Sequence, residues 1–181
     1  MNKHLQLVRE HHDACSFKQA KFGETGHVSD MENIFHQAML MESASLLFNA
    51  IKSGEMADIL RGLVNVSYVA LGAIAASGKD VMESRISWQH DGYVISIVKL
   101  MSEKISQCAN GKTHNYSDVY HTCVLLSRNF LNADFDKAFQ VVHDHHMTHL
   151  SLNGFSIYDD AWNNYLSELA NLPNLDDCLY E

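Results

Sequence analysis

Proline is nearly missing from this chain of 181 residues, and glycine is sparse. The sequence holds one proline and nine glycines. Because these residues are the strongest local breakers of regular structure, their scarcity argues against a loop-rich fold and favours long, uninterrupted helices. A chain of this length buries one sizeable core, so we expect a single domain over residues 1–181.

An excess of basic residues is also lacking. Lys and Arg number 13 against 22 Asp and Glu, which gives a net charge of −9. This balance disfavours a nucleic-acid-binding protein, because such a protein needs a basic surface. It is compatible with a site in which carboxylates hold Mg²⁺ against the phosphates of a nucleotide.

Paired cysteine motifs and membrane signals are absent as well. The four cysteines show no CxxC spacing, so they are predicted to be scattered buried thiols and not a disulfide framework or zinc site. The first ten residues lack the apolar core of a signal peptide. The least polar run, 60–76, contains Arg61, Asn65 and Ser67, and we judge it too short and too polar to span a bilayer. We therefore expect a cytoplasmic protein with no membrane partner.

What the chain does have is helical periodicity along most of its length. Ser29 or Asp30 can cap a helix that Gly54 ends, and the following helix is apolar around most of its circumference, as in the centre of a bundle. No period-two pattern is long enough for a sheet. The sequence thus predicts an all-α, multi-helix bundle with helices over 2–15, 29–53, 55–77, 88–108, 115–131, 134–150 and, as a short tail helix, 159–170.

One stretch carries a family resemblance. Residues 41–80 read MESASLLFNAIKSGEMADILRGLVNVSYVALGAIAASGKD. This resembles the all-α nucleoside-triphosphate pyrophosphatase superfamily (MazG-like and phosphoribosyl-ATP pyrophosphohydrolase-like proteins), whose pattern is E-E-x-x-E-L, a glycine turn, then D-G-L-x-D-x-x-Y-V-x-x-G-x-A. VREHHDA (8–14) and DFDKAFQVVHDHHMTH (134–149) resemble two further family segments. Residues 81–133 have no counterpart in the pattern and are taken as a helical insertion.

The resemblance implies a MazG-like fold and a hydrolase that cleaves NTPs or dNTPs to the monophosphate and pyrophosphate. Mg²⁺ or Mn²⁺ would neutralise the phosphates and help to form the attacking hydroxide. The family's acids are thinned here, since Met41 and Ser45 replace two of the first motif, and Arg61 and Asn65 replace both of the second.

The resemblance then leaves Glu42 and Asp58 as the catalytic and metal-binding carboxylates. It implies Asn65 as a further metal ligand, and Ser45 and Arg61 as groups that contact the substrate. Local spacing leaves other interpretations open: Asp58 can pair with Arg61 at i+3, and Asn65 can bond between helices. Because acids are lost from an intact apolar frame, the alternative is a catalytically degenerate relative that binds nucleotides or proteins.

Histidines are concentrated near the end of the pattern. Four of the twelve lie in VVHDHHMTH, residues 141–149. The resemblance places His143, His146 and His149 beside the nucleotide as substrate-binding groups. Helical spacing alone also allows a transition-metal site, an HD-type dyad of His143 and Asp144, or a solvated polar face.

The expected partners are a nucleotide and a second copy of the chain. The helices over 36–51 and 63–76 show more apolar surface than one small bundle needs. We therefore expect a homodimer or homotetramer that associates through helix faces.

Overall fold

The computed structural model of the chain describes residues 1–89, 91–149 and 173–180. Within them there is no β-strand, only an isolated bridge between Ala133 and Leu179. The all-α prediction is confirmed, while the predicted tail helix 159–170 lies outside the described residues. The described helices are α1 (Lys3–Ala14), α2 (Asp30–Ser53), α3 (Met56–Ala76), α4 (Val94–Gln107), α5 (Thr113–Asn129) and α6 (Phe135–His149).

Helix α2 begins and ends where the sequence predicts. The Ser29 hydroxyl accepts a hydrogen bond from the Glu32 amide at 3.3 Å, and the Glu32 carboxylate accepts one from the Ser29 amide at 2.8 Å. This reciprocal capping box satisfies two amides that the first turn leaves unpaired. At the other end Gly54 adopts φ +83°, a left-handed conformation that costs glycine little, and α3 returns alongside α2.

Helix α3 is the centre of the bundle. It packs against α1, α2, α5 and α6, and its residues from Gly62 to Ala75 are all buried. Gly62 allows the close approach of α2, because a Cβ there would lie 2.9 Å from the Leu47 Cα. By length and composition the whole of α3 could cross a membrane, contrary to our estimate from run 60–76, although most of it is packed inside the bundle.

Residues 81–133, which were predicted to be a helical insertion, supply α4 and α5. Helix α5 packs along α3, and the Lys104 ammonium donates to Asp118 at 2.8 Å, which ties α4 to α5. This segment therefore contributes part of the core. All four cysteines of the chain are free and buried, as predicted.

Candidate functional site

Asp58 is engaged in a local ion pair. Arg61 donates from Nη1 to Asp58 Oδ1 at 2.6 Å and from Nη2 to the Pro173 carbonyl at 3.3 Å. Asp58 is about half exposed, whereas the Arg61 side chain is largely covered. The i+3 ion pair that the sequence allowed is thus present, and it holds both side chains together at the start of α3.

Glu42 lies at a different level of the α2–α3 hairpin. The contact between Gly62 and Leu47 sets the register of the two helices. Counting from it at ~1.5 Å per residue, Glu42 and Asp58 are about 13 Å apart along the bundle. A single Mg²⁺ holds its ligands at about 2 Å, so these two carboxylates do not share one ion in this arrangement.

The predicted acid positions of α2 also point away from α3. Leu40, Ala44 and Leu47 are buried on the side that meets the bundle. Met41 and Ser45 are exposed, because at 100° per residue they fall on the opposite side of the helix. We call the exposed side the outer face of α2, and its members are Met31, Ile34, Phe35, Ala38, Met41 and Ser45.

Asn65 is the predicted site residue with the most unusual environment. It is 4% exposed, and its Oδ1 has no hydrogen-bond partner within the described part of the chain. Glu42, in contrast, is half-buried. Across the described residues, no group of three or more His, Cys, Asp or Glu side chains is placed to hold a metal ion. The roles assigned to Glu42, Asp58 and Asn65 in metal binding stay predictions.

Two histidines of α6, His143 and His146, face inward, onto α1 and α3. Tyr68 Oη lies 3.1 Å from His143 Nδ1, and His143 Nε2 lies 4.0 Å from a carboxylate oxygen of Glu10. With the imidazole neutral, its proton belongs on the nitrogen that faces the carboxylate, which makes Nδ1 the acceptor for the phenol. We call Glu10, His143 and Tyr68 the His143 centre. Burial holds the pKa of His143 below its ordinary value, although Asp144 and Glu10 act in the other direction.

His146 and His11 extend this polar interior. The His146 ring meets the edge of Tyr68 at a centroid distance of 4.9 Å and lies 5.4 Å from the His11 ring. His11 Nε2 is 3.4 Å from the Cys15 sulfur. Burial, followed by the neighbouring His143, lowers the pKa of His11 to about 4. The structure thus brings His143 and His146 together, whereas the side chain of His149 lies outside its described part.

A second centre lies at the other end of α1. His4 Nδ1 is 2.9 Å from Tyr120 Oη, and His4 Nε2 is 3.2 Å from Asp136 Oδ1. Asn2 donates to the same phenol oxygen at 3.3 Å. Burial outweighs the attraction of Asp136 and lowers the pKa of His4 to about 4. We call His4, Tyr120 and Asp136 the His4 centre.

Sequence reasoning missed the His4 centre and the part played by Glu10 and His11. His4, Val8 and His11 recur at helical spacing and are all buried, so they share the inner face of α1. That spacing was a usable signal for placing His4 in the core. Nothing local pointed to Tyr120, because it lies 116 residues away along the chain.

The fold and these side chains define, within the described residues, an all-α bundle with two buried histidine centres. Comparison of the chain with protein-family models, with curated proteins and with solved structures gives no match.

Proposed function

We propose that this protein is a non-catalytic interaction module, built on a MazG-like bundle that has lost its acidic site, and that the outer face of α2 is its contact surface. One observation carries the proposal. On the helix face where the resembling family has acids, Met41 is 58% exposed, in line with Ile34 at 60% and Met31 at 71%. Large apolar side chains that share one exposed stripe are typical of a surface that binds another protein.

Two further observations support the loss of hydrolysis. Asp58 is neutralised by Arg61, and Glu42 lies about 13 Å away from it by helix rise. A reaction at a triphosphate needs divalent charge placed against the phosphates, and that needs converging carboxylates. A guanidinium in one acid position opposes such an ion.

Incubation with a panel of NTPs and dNTPs in Mg²⁺ or Mn²⁺ tests the proposal. We expect neither monophosphate nor pyrophosphate from any member of the panel. Calorimetric titration with the same nucleotides separates the two kinds of module: heat without added metal indicates nucleotide binding, and no heat rejects the nucleotide-binding module. Release of pyrophosphate would overturn the proposal.

A metal-dependent pyrophosphohydrolase is the second candidate, and Asn65 favours it. A buried amide oxygen without a partner is costly unless a ligand uses it. Under this candidate Glu42→Gln abolishes hydrolysis, whereas Ser16→Ala, on an exposed turn outside α2, leaves it unchanged. Equal rates for these two variants would exclude Glu42 as a catalytic residue.

A further inference from the structure

Helices α1 and α6 lie side by side and run in the same direction. His4 of α1 contacts Asp136, near the start of α6, and His11 contacts His146, near its end. The contact between the two helices therefore has a His4 end and a His11 end. Histidine is the side chain that changes charge in mild acid, so proton uptake at these imidazoles bears on whether each end stays closed.

Three buried imidazoles surround Tyr68 at the His11 end. His11, His143 and His146 are 8%, 4% and 7% exposed. The ring centroids of His11 and His146 are 5.4 Å apart, and they lie 5.5 and 4.9 Å from the centroid of Tyr68. We call these three histidines the imidazole cluster. Because the cluster is shared between α1 and α6, any charge placed on it acts across the contact between the two helices.

The side chains around the imidazole cluster oppose its protonation. In the described part of the chain it faces Glu10, His12 and Cys15 from α1 and its end, Tyr68 from α3, and Asp144 and His145 from α6. The two carboxylates are at the surface, where water screens them. Burial raises the pKa of the Cys15 thiol to about 11, so this group stays uncharged. Protonating the cluster therefore brings like charges together in a place where they repel more strongly than in water.

The His4 end differs in its counterion and in the number of imidazoles. Protonated His4 keeps Asp136 Oδ1 at 3.2 Å from its Nε2 and gains an ion pair there, although Lys3 and Arg128 oppose its charge. Phe139 is fully buried against the His4 ring and adds a contact that does not depend on pH. Opening this end would free one imidazole and break its ion pair, whereas opening the His11 end frees three imidazoles. Acid therefore favours opening at the His11 end.

We propose that the contact between α1 and residues 143–149 of α6 is an acid-operated switch, which opens when the imidazole cluster takes up protons while the His4 end stays closed. In water an imidazole is protonated below about pH 6.5. Burial lowers the pKa of His11 to about 4 and shifts the pKa of His143 in the same direction. The open form therefore binds more protons between these two pH values, and its population rises as the pH falls through them. Opening uncovers Tyr68 and Cys15, which the neutral protein hides. The switch goes beyond the proposed function and does not depend on it.

Hydrogen exchange of the full chain at pH 7.5 and pH 5.0, with rates corrected for the intrinsic effect of pH, tests where the bundle opens. His11 alone should raise the population of the open form about thirtyfold between these conditions. A short helical segment released from the bundle is not stable in water, so its amides exchange. We expect the protection of the amides of 145–149 to fall by at least this factor, while the amides of 138–142 and of the centre of α3 keep theirs. An equal loss in all three regions would mean that acid unfolds the whole bundle, and it would overturn the proposal.

The natural thiols provide a second readout in the unaltered chain. Cys15 Sγ lies 3.4 Å from His11 Nε2, whereas Cys108 and Cys123 are fully buried elsewhere in the core. Dithiodipyridine, a disulfide reagent that reacts with thiols in acid, should label Cys15 at pH 5.0 and not at pH 7.5, with rates normalised to the unfolded chain. The other two thiols should stay protected at both pH values. Labelling of Cys123 as fast as Cys15 would contradict a local opening.

A matched pair of variants assigns the effect to the imidazole cluster. His11→Gln removes one titrating group and should reduce the acid-induced fall in protection at 145–149 by about thirtyfold. His27→Gln changes an exposed histidine outside both helices and should leave that fall unaltered. Identical behaviour of the two variants would reject the role of the cluster. Where a variant does not fold, the two readouts of the unaltered chain decide.

Removing the counterion tests why the His4 end stays closed. In Asp136→Asn, protonated His4 has lost its carboxylate and faces the cations Lys3 and Arg128. Acid should then also lower the protection of the amides of 138–142, which stays constant in the unaltered chain. Protection that persists there in acid would show that Asp136 does not keep this end closed, and it would overturn the proposed difference between the two ends.

Discussion

The His4 centre and the His143 centre have the same three chemical groups in the same order. In each, one ring nitrogen of the imidazole faces a carboxylate and the other faces a phenol. The histidine and the carboxylate come from α1 and α6, and the tyrosine comes from α5 in one centre and from α3 in the other. The two centres differ in how closely the imidazole approaches its two partners. In the His4 centre the two contacts measure 2.9 and 3.2 Å, whereas in the His143 centre they measure 3.1 and 4.0 Å.

The carboxylate ends account for the difference. Lys3 donates to Asp136 at 2.6 Å and holds it against His4. Glu10 is half exposed and reaches His143 only at the limit of an ionic contact. A buried polar network that is fully satisfied rigidifies its surroundings, while one that is open at an end contributes less. We therefore expect the His4 centre to contribute more to the free energy of unfolding than the His143 centre. Variants of the two carboxylates compare the centres at the contact where their distances differ most.

Acid should affect the His4 centre and the histidines that adjoin the His143 centre at once, and it is expected to have the largest effect. His4 and His11 have pKa values lowered by burial from 6.5 to about 4, so between those values the unfolded chain binds more protons than the folded one. Stability is then complete above about pH 7, falls as the pH drops from 6.5 towards 4, and loses nothing more from these groups below that. A shift of this size is worth on the order of 3 kcal/mol per group. Urea unfolding measured at intervals from neutral to acid pH checks it.

A matched pair of variants isolates the histidine contribution. His11→Gln removes one titrating group from the interior and should make the decline shallower. His27→Gln changes an exposed histidine and should leave the curve unaltered. A flat curve for the unaltered chain between pH 7 and pH 4 would contradict the assignment of neutral buried imidazoles.

Phe139 links the two centres, and its removal should have the next largest effect. Its ring stacks on His4 at 4.3 Å and on Tyr68 at 5.4 Å, and it is fully buried. Phe139→Ala leaves a cavity beside both imidazoles and is expected to cost about 3–5 kcal/mol of unfolding free energy. Phe22→Ala, at a 45% exposed ring, is the control and should cost less than about 0.5 kcal/mol. Similar losses of unfolding free energy for the two variants would show that Phe139 does not stabilise the two centres.

The helices could be predicted because their signals are local. The Ser29 cap, Gly54 and the apolar circumference of α3 each act within a few residues, and the structure has all three. The site could not be predicted in the same way, because whether Glu42 faces Asp58 depends on the rotation and the axial register of α2 against α3. A contact between Gly62 and Leu47 fixes that register, and no local pattern encodes it. The acidic residues of a motif can therefore be recognised in a sequence, whereas the sequence does not show whether their side chains converge.

Removing the phenol hydroxyl from each centre should lower the free energy of unfolding by less than the changes above, and by different amounts in the two centres. Tyr120→Phe deprives the buried His4 Nδ1 of its donor and Asn2 of its acceptor, and should cost about 1–3 kcal/mol. Tyr68→Phe removes the longer contact to His143 and should cost about 1 kcal/mol. Urea unfolding of both variants at pH 7.5 gives the difference. A greater loss for Tyr68→Phe would reverse the proposed order of the two centres.

Substituting the two carboxylates tests the difference in carboxylate–imidazole distance between the centres, and it should have the smallest effects on stability. Asp136→Asn keeps an oxygen that can accept from His4 Nε2 but loses the ion pair with Lys3, so it should cost about 0.5–1 kcal/mol. Glu10→Gln alters a half-exposed side chain 4.0 Å from His143, and its cost should be within about 0.3 kcal/mol of zero. High salt should erase most of the first loss and none of the second, because screening acts on the exposed Lys3 pair. If Glu10→Gln proves as costly as Asp136→Asn, the His143 centre is closed in solution, and the contrast between the two centres fails at the contact where it is widest.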